Sequence, residues 1–120
     1  MISINYRDSR PIYEQVRDNF RDLILSGALP TGYKMPSVRE LAATLAINPN
    51  TIQRAYRELE AAGYISSVPG KGSFVSPSDA AVFKRRTELC EELCAVADEL
   101  RALGVTEEEL VKTIKGGRKK

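Results

Sequence analysis

The chain has 120 residues, 42% of them hydrophobic, with 18 Lys and Arg against 16 Asp and Glu, no His, and a formal charge of +2. That length holds one modest core with an appendage. No apolar run approaches the roughly 20 residues of a membrane span, and no signal peptide or lipidation motif is visible, so the chain reads as cytoplasmic with no membrane partner. Catalysis is excluded on composition and motif: there is no His, no P-loop, no G-x-G-x-x-G and no nucleophile beside a plausible base. No cofactor, metal or catalytic residue is therefore expected. The charge is unevenly spread, with nine Lys and Arg against seven acids over residues 1–75, six against nine over 76–115, and three cations in the last five residues. A mildly basic first half and an acidic second half suit a nucleic-acid reader with a separate partner face.

In chain order, Ile2, Ile4 and Tyr6 alternate with polar residues and suggest a short extended arm with one side buried. Pro11 opens a helix to about Ser26, with Ile12, Val16, Phe20, Leu23 and Ile24 as its stripe, Tyr13 beside them and Gly27 as its stop. Arg17 and Arg21 on this helix read as solvated. Residues 30–35 read as a loop. Ser37-Val38-Arg39-Glu40 is an S-x-x-E capping box behind Pro36, and it starts a short helix with Leu41, Ala42 and Leu45 inward. Ala46, Ile47 and Asn48 make a tight turn. Asn48 then caps a helix over 49–62 with Pro49 at its first position, and Ile52, Ala55, Tyr56 and Leu59 form its buried face. Asn50, Arg54 and Arg57 point away from that face, with Thr51 and Gln53 at its edges.

Residues 64–68 and 72–76 read as two short strands joined by Pro69, Gly70 and Lys71. Ser76 to Asp79 is a breaker cluster. A helix over 80–103 follows, in which Val82, Leu89, Leu93, Val96, Leu100 and Leu103 fit a seam of period 3.5 that Arg86 interrupts. Gly104 ends it. Thr106 to Glu109 is a second capping box, and Leu110, Val111 and Ile114 line a last short helix. Glu107, Glu108 and Glu109 suit a helix N-terminus better than a metal site. Cys90 and Cys94, four apart beside the seam, read as small apolar residues, with metal binding or oxidation sensing as the alternative that the lack of an accompanying His disfavours.

The fold class expected is mainly α with a small β-hairpin. A winged helix-turn-helix (1–76) precedes a two-helix dimerisation segment (77–115) and a disordered basic tail (116–120). Amphipathic helices with little of their own to pack on would bury their stripes against a second copy, through Val82, Leu89, Leu93, Val96, Leu100, Leu103, Leu110 and Ile114. Packing on the chain's own domain is the alternative use of the same stripes.

MPSVRELAATLAINPNTIQRAYRELEAAGYI, from Met35 to Ile65, followed by PGKGSFV, resembles the DNA-binding domain of GntR-family transcription regulators. The Asn-Pro-Asn-Thr entry at 48–51 and Arg54-Ala55-Tyr56 resemble the YtrA branch. The resemblance spans Pro11 to Val75. It implies a dimer on double-stranded DNA, usually a repressor released by a small effector, whose pocket the sequence does not place.

Candidate DNA contacts follow from chemistry and resemblance together. Ser37 and Arg39 sit at a helix N-terminus, where backbone N–H groups already favour a phosphate. The Arg at the position of Arg39 usually faces DNA in the family, and Lys34 lies where the family places a turn beside the backbone. Many members carry Arg where this chain has Pro49 and Gln53, a pairing suited to guanine. Asn50 and Gln53 instead suit the N6/N7 edge of adenine. Thr51 would meet a phosphate or a thymine methyl, Arg54 a base or phosphate, and Arg57 a phosphate. In the wing, Gly70 and Gly72 allow close backbone approach, and Lys71 is poised for the minor groove or its phosphates. Phe74 and Tyr64 read as core. The rival reading is a winged helix that docks proteins without binding specific DNA.

Overall fold

A computed structural model describes residues 2–116. The element order is α1 (Ile12–Leu25), α2 (Val38–Leu45), α3 (Pro49–Ala61), β1 (Ile65–Val68), β2 (Gly72–Val75), α4 (Asp79–Ala102) and α5 (Glu107–Gly116). Two compact units meet inside α4, between Val82 and Phe83.

In the first unit, α1 buries Val16, Phe20 and Ile24 against Ile52, Ala55, Tyr56 and Leu59 of α3. Leu41 and Ala42 of α2, with Met35, Tyr64, Ile65 and Val75, complete that core. Phe20 and Tyr56 meet edge-on, centroids 5.9 Å apart. Both predicted caps of the helix-turn-helix form. Ser37 Oγ accepts from the Glu40 N–H at 3.1 Å while Glu40 Oε1 accepts from the Ser37 N–H at 3.0 Å. Asn48 Oδ1 accepts from the Asn50 N–H at 2.8 Å. Between them Ala46 turns the chain in the left-handed region, φ 56°, a conformation that disfavours any side chain.

The hairpin pairs Ile65 with Val75 and Val68 with Gly72. At its tip the Lys71 N–H donates to Val68 O at 2.9 Å, with Gly70 at φ 75°. Pro69 followed by a positive-φ glycine is the pattern of a type II turn. Gly63 (φ 90°) closes α3, and its carbonyl accepts from the Ser78 N–H at 2.8 Å. A Cβ there would stand 2.6 Å from Ser78 Oγ, the hydroxyl that in turn accepts from the Ala81 N–H in the first turn of α4.

Three expectations need correction. Residues 30–35 are more than a loop: the Gly32 and Met35 N–H groups donate to Val75 O and Ser73 O, the Val75 N–H donates to Tyr33 O, and Lys34 bridges Phe74. The wing therefore has a third extended segment along β2. In the arm, Ile2 and Ile4 pack on the core, but Tyr6 is 71% exposed. What fixes the arm is the buried Gln15, whose Nε2 donates to Asn5 O and Arg10 O and whose Oε1 accepts from the Asn5 N–H. Arg17 and Arg21 are ion-paired rather than solvated, both on Asp18, with Arg17 also 2.7 Å from Glu58 of α3.

In the second unit the Thr106–Glu109 capping box forms. Leu89, Leu93, Val96, Leu103 and Ile114 are exposed. Val82, assigned to the same seam, is half-buried in the first unit. Leu100 is half-buried, and Leu110 is buried within the described chain itself, so Leu110 is not free to cover a second copy. Cys90 and Cys94 are exposed free thiols. Gly116 is the last residue of α5; the rest of the tail assigned to 116–120 lies outside the described residues.

Candidate nucleic-acid interface

α3 is anchored from beneath and open above. Its inner face is buried, and the Tyr56 hydroxyl donates to Pro36 O at 2.7 Å, tying the helix to the entry of α2. Burial pushes the Tyr56 phenol well above its ordinary value, with the nearby Tyr33 and Glu40 adding to the shift, so it stays a donor. On the outer face Asn50, Gln53, Arg54 and Arg57 are exposed and Thr51 is half-buried at the edge. This is the division required of a helix that lies in a groove while the body holds its other side.

The second part of the site is a concavity of about 300 Å³ lined by Lys34, Pro36, Ser37, Lys71, Gly72 and Ser73, among others. It brings the N-terminus of α2 and the wing together around two lysines and a hydroxyl. Ser37 Oγ accepts a hydrogen bond as a cap and its side chain also supports the Glu40 carboxyl, so the two lysines are the groups here that can meet an anion. Gly72, at φ 116°, lies so close to Lys34 that a Cβ would be 3.2 Å from Lys34 Cε. Glycine here keeps the wing backbone and that lysine together. The backbone bond from Ser37 holds the Glu40 carboxyl below the usual carboxylate range, helped by the Ser37 side chain and the charge of Lys34.

The cations differ in availability. Arg39, Arg57 and Lys71 are exposed, and among the described residues their side chains have no hydrogen bond or ion pair. Arg54 is engaged, on the Tyr13 ring and beside Glu58. Sequence reasoning missed both partners. Tyr13 and Arg54 are 41 positions apart, and no local spacing signals such a pair. Gly70 stands exposed at the wing tip.

Comparison with known proteins decides the family. The family described as bacterial regulatory proteins, gntR family, matches residues 12–75, the span from the start of α1 to the end of β2. The chain belongs to the GntR family. Likeness within that family extends past the winged helix: the chain is 38% identical to the HTH-type transcriptional repressor YtrA of Bacillus subtilis (strain 168), covering 99% of this chain and 98% of the relative. A transcriptional regulator from Oenococcus oeni has a similar structure at TM-score 0.79 and 32% identity, over 97% of this chain and 98% of that one. The AraR(DBD) complex with operator ORE1 is similar at TM-score 0.54 and 28% identity, over 63% and 93%. As a GntR-family transcription regulator with a winged-helix DNA-binding domain, the chain is similar to regulators rather than enzymes. No described helix is long and apolar enough to cross a membrane.

Proposed function

We propose that this GntR-family chain is a repressor that reads a two-fold operator as a homodimer in the cytoplasm. The observation that carries the reading is the two-sidedness of α3: Ile52, Ala55 and Leu59 are fully buried while Asn50, Gln53 and Arg57 stand in solvent. Amide side chains at the open end of a helix pair naturally with adenine edges. The exposed Arg39, Arg57 and Lys71, with Ser37, Lys34 and the glycines Gly70 and Gly72, supply phosphate contacts that set the register of the protein on the duplex. Thr51 borders the groove floor.

Dimerisation is proposed through residues 77–115, on the exposed Leu89, Leu93, Val96, Leu103 and Ile114. A second copy is the occupant that covers the same stripe on both partners at once. Two recognition helices would then address half-sites about one helical turn, or a multiple, apart. Similarity to a named repressor supports repression; a small effector would release the DNA by favouring a dimer whose helices no longer match the half-sites.

The test is selection of bound sequences from random duplex DNA by the whole chain. The reading expects enrichment of a two-fold symmetric site, with log K falling roughly linearly with log[salt]. Binding indifferent to sequence, or no duplex capture at low salt, would instead favour a protein-docking winged helix.

A further inference from the structure

Arg54 is unlike Arg39 and Arg57 because its guanidinium is already held. Its central carbon lies 3.7 Å from the centroid of the Tyr13 ring. Nη2 donates to the Tyr13 hydroxyl at 3.0 Å, and Nε is 3.5 Å from Glu58 Oε2. Tyr13 itself belongs to the first turn of α1 and donates its hydroxyl proton to Glu14 Oε2 at 3.3 Å. Glu58 is gripped more closely by Arg17, at 2.7 Å, so its charge is divided and Arg54 is only partly neutralised.

A guanidinium has five N–H donors in a rigid plane. The contacts with Tyr13 and Glu58 fix that plane yet leave both hydrogens of Nη1 without a partner among the described residues. The side chain is still 54% exposed. An arginine held over a ring of α1 and bonded to that ring's hydroxyl is not extended outward from α3 to search base edges. It is instead a donor set whose rotamer is chosen before any anion arrives, which removes part of the ordering cost of capture. A cation–π contact uses no N–H donor, so it leaves Nη1 free to bond an anion.

We propose that Tyr13 is a positioning residue of the DNA interface, holding the Arg54 guanidinium at the α1-facing edge of the recognition helix as a preset clamp for a backbone phosphate. The inference rests on the duplex-binding reading of α3. It extends the interface from the helix-turn-helix and wing to α1, and it gives Arg54 a share in affinity but none in base preference.

Binding of the selected duplex is measured as a function of salt for single and double variants, with thermal unfolding of each. Arg54→Ala weakens binding roughly tenfold, lowers the salt slope by about one, and leaves the selected sequence unchanged. Tyr13→Leu, which keeps an apolar side chain but no ring, weakens it about threefold in the Arg54 background and has no further effect beside Arg54→Ala. Tyr13→Phe keeps the ring and restores most of that loss. Arg54→Lys, an exposed change that leaves the core alone, keeps the salt slope yet loses about threefold because the planar fork is gone.

Equal loss from Tyr13→Leu with and without Arg54 would overturn the proposal, as would wild-type binding by Arg54→Lys or a changed base preference in Arg54→Ala. If wild-type protein binds and only Arg57→Ala weakens it, the clamp is wrong and the DNA reading stands. If wild-type protein captures no duplex, both fall.

Discussion

Single residues here do two jobs within a short distance of one another. Tyr56 packs on Phe20 and also bonds Pro36 O, so Tyr56→Phe keeps the packing and removes only the hydrogen bond. It is expected to lower folding stability by about 1 kcal/mol in urea unfolding, with DNA binding nearly unchanged at temperatures where the variant is still folded. Glu40 carries the capping box as a carboxylate whose proton affinity is lowered in the fold. A depressed folded value means stability that is present above the unfolded value and lost as pH falls through the folded one. Stability should therefore decline through the acidic range below the ordinary Glu value, and Glu40→Gln, which can still accept from Ser37, should flatten that part of the decline. Caps and buried stripes were legible because they are local patterns of three or four residues. The Tyr13–Arg54 stack and the Gln15 clasp on the arm were not, since each joins residues whose meeting depends on the finished packing of α1.

At the scale of elements, helix bounds followed closely from their caps. The predicted span 49–62 is observed as Pro49–Ala61 with Ala62 as the cap. Strand partners were less legible: the hairpin was visible from its Pro-Gly turn, but pairing of Gly32 and Met35 with β2 involves residues some forty positions apart, beyond the reach of any periodicity. Gly63 marks where α3, the hairpin and α4 join. Gly63→Ala meets both a positive φ and the Ser78 hydroxyl, and is expected to destabilise the chain by about 1–2 kcal/mol, measurable as a lowered midpoint in urea. Lys71 lies at the other end of the hairpin, far from any core residue's role. Lys71→Ala should leave stability unchanged, weaken all duplexes alike, and reduce the salt slope by about one.

For the whole molecule, the period-3.5 pattern identified a stripe on α4, and the structure leaves most of it in solvent. Apolar spacing on α4 and α5 could not distinguish residues that cover a second copy from those that cover the chain itself, because both are simply apolar at helical spacing; Leu110 of α5 is buried within the chain. If a second copy covers the rest, Leu93→Glu places a charge in each half of the contact and should yield monomers by sedimentation at micromolar concentration, with operator affinity falling steeply. Wild-type protein that sediments as a monomer there would contradict the dimer. The charge and amide chemistry of α3 is more central, because the proposed DNA recognition rests on it whatever the assembly. The most direct measurement is duplex binding by the variant combining Asn50→Ala, Gln53→Ala and Arg57→Ala, three exposed positions outside the core. The account predicts an unchanged circular dichroism spectrum and loss of the preference for the selected operator over random duplex. A triple variant that still binds the operator with wild-type affinity and preference would contradict it.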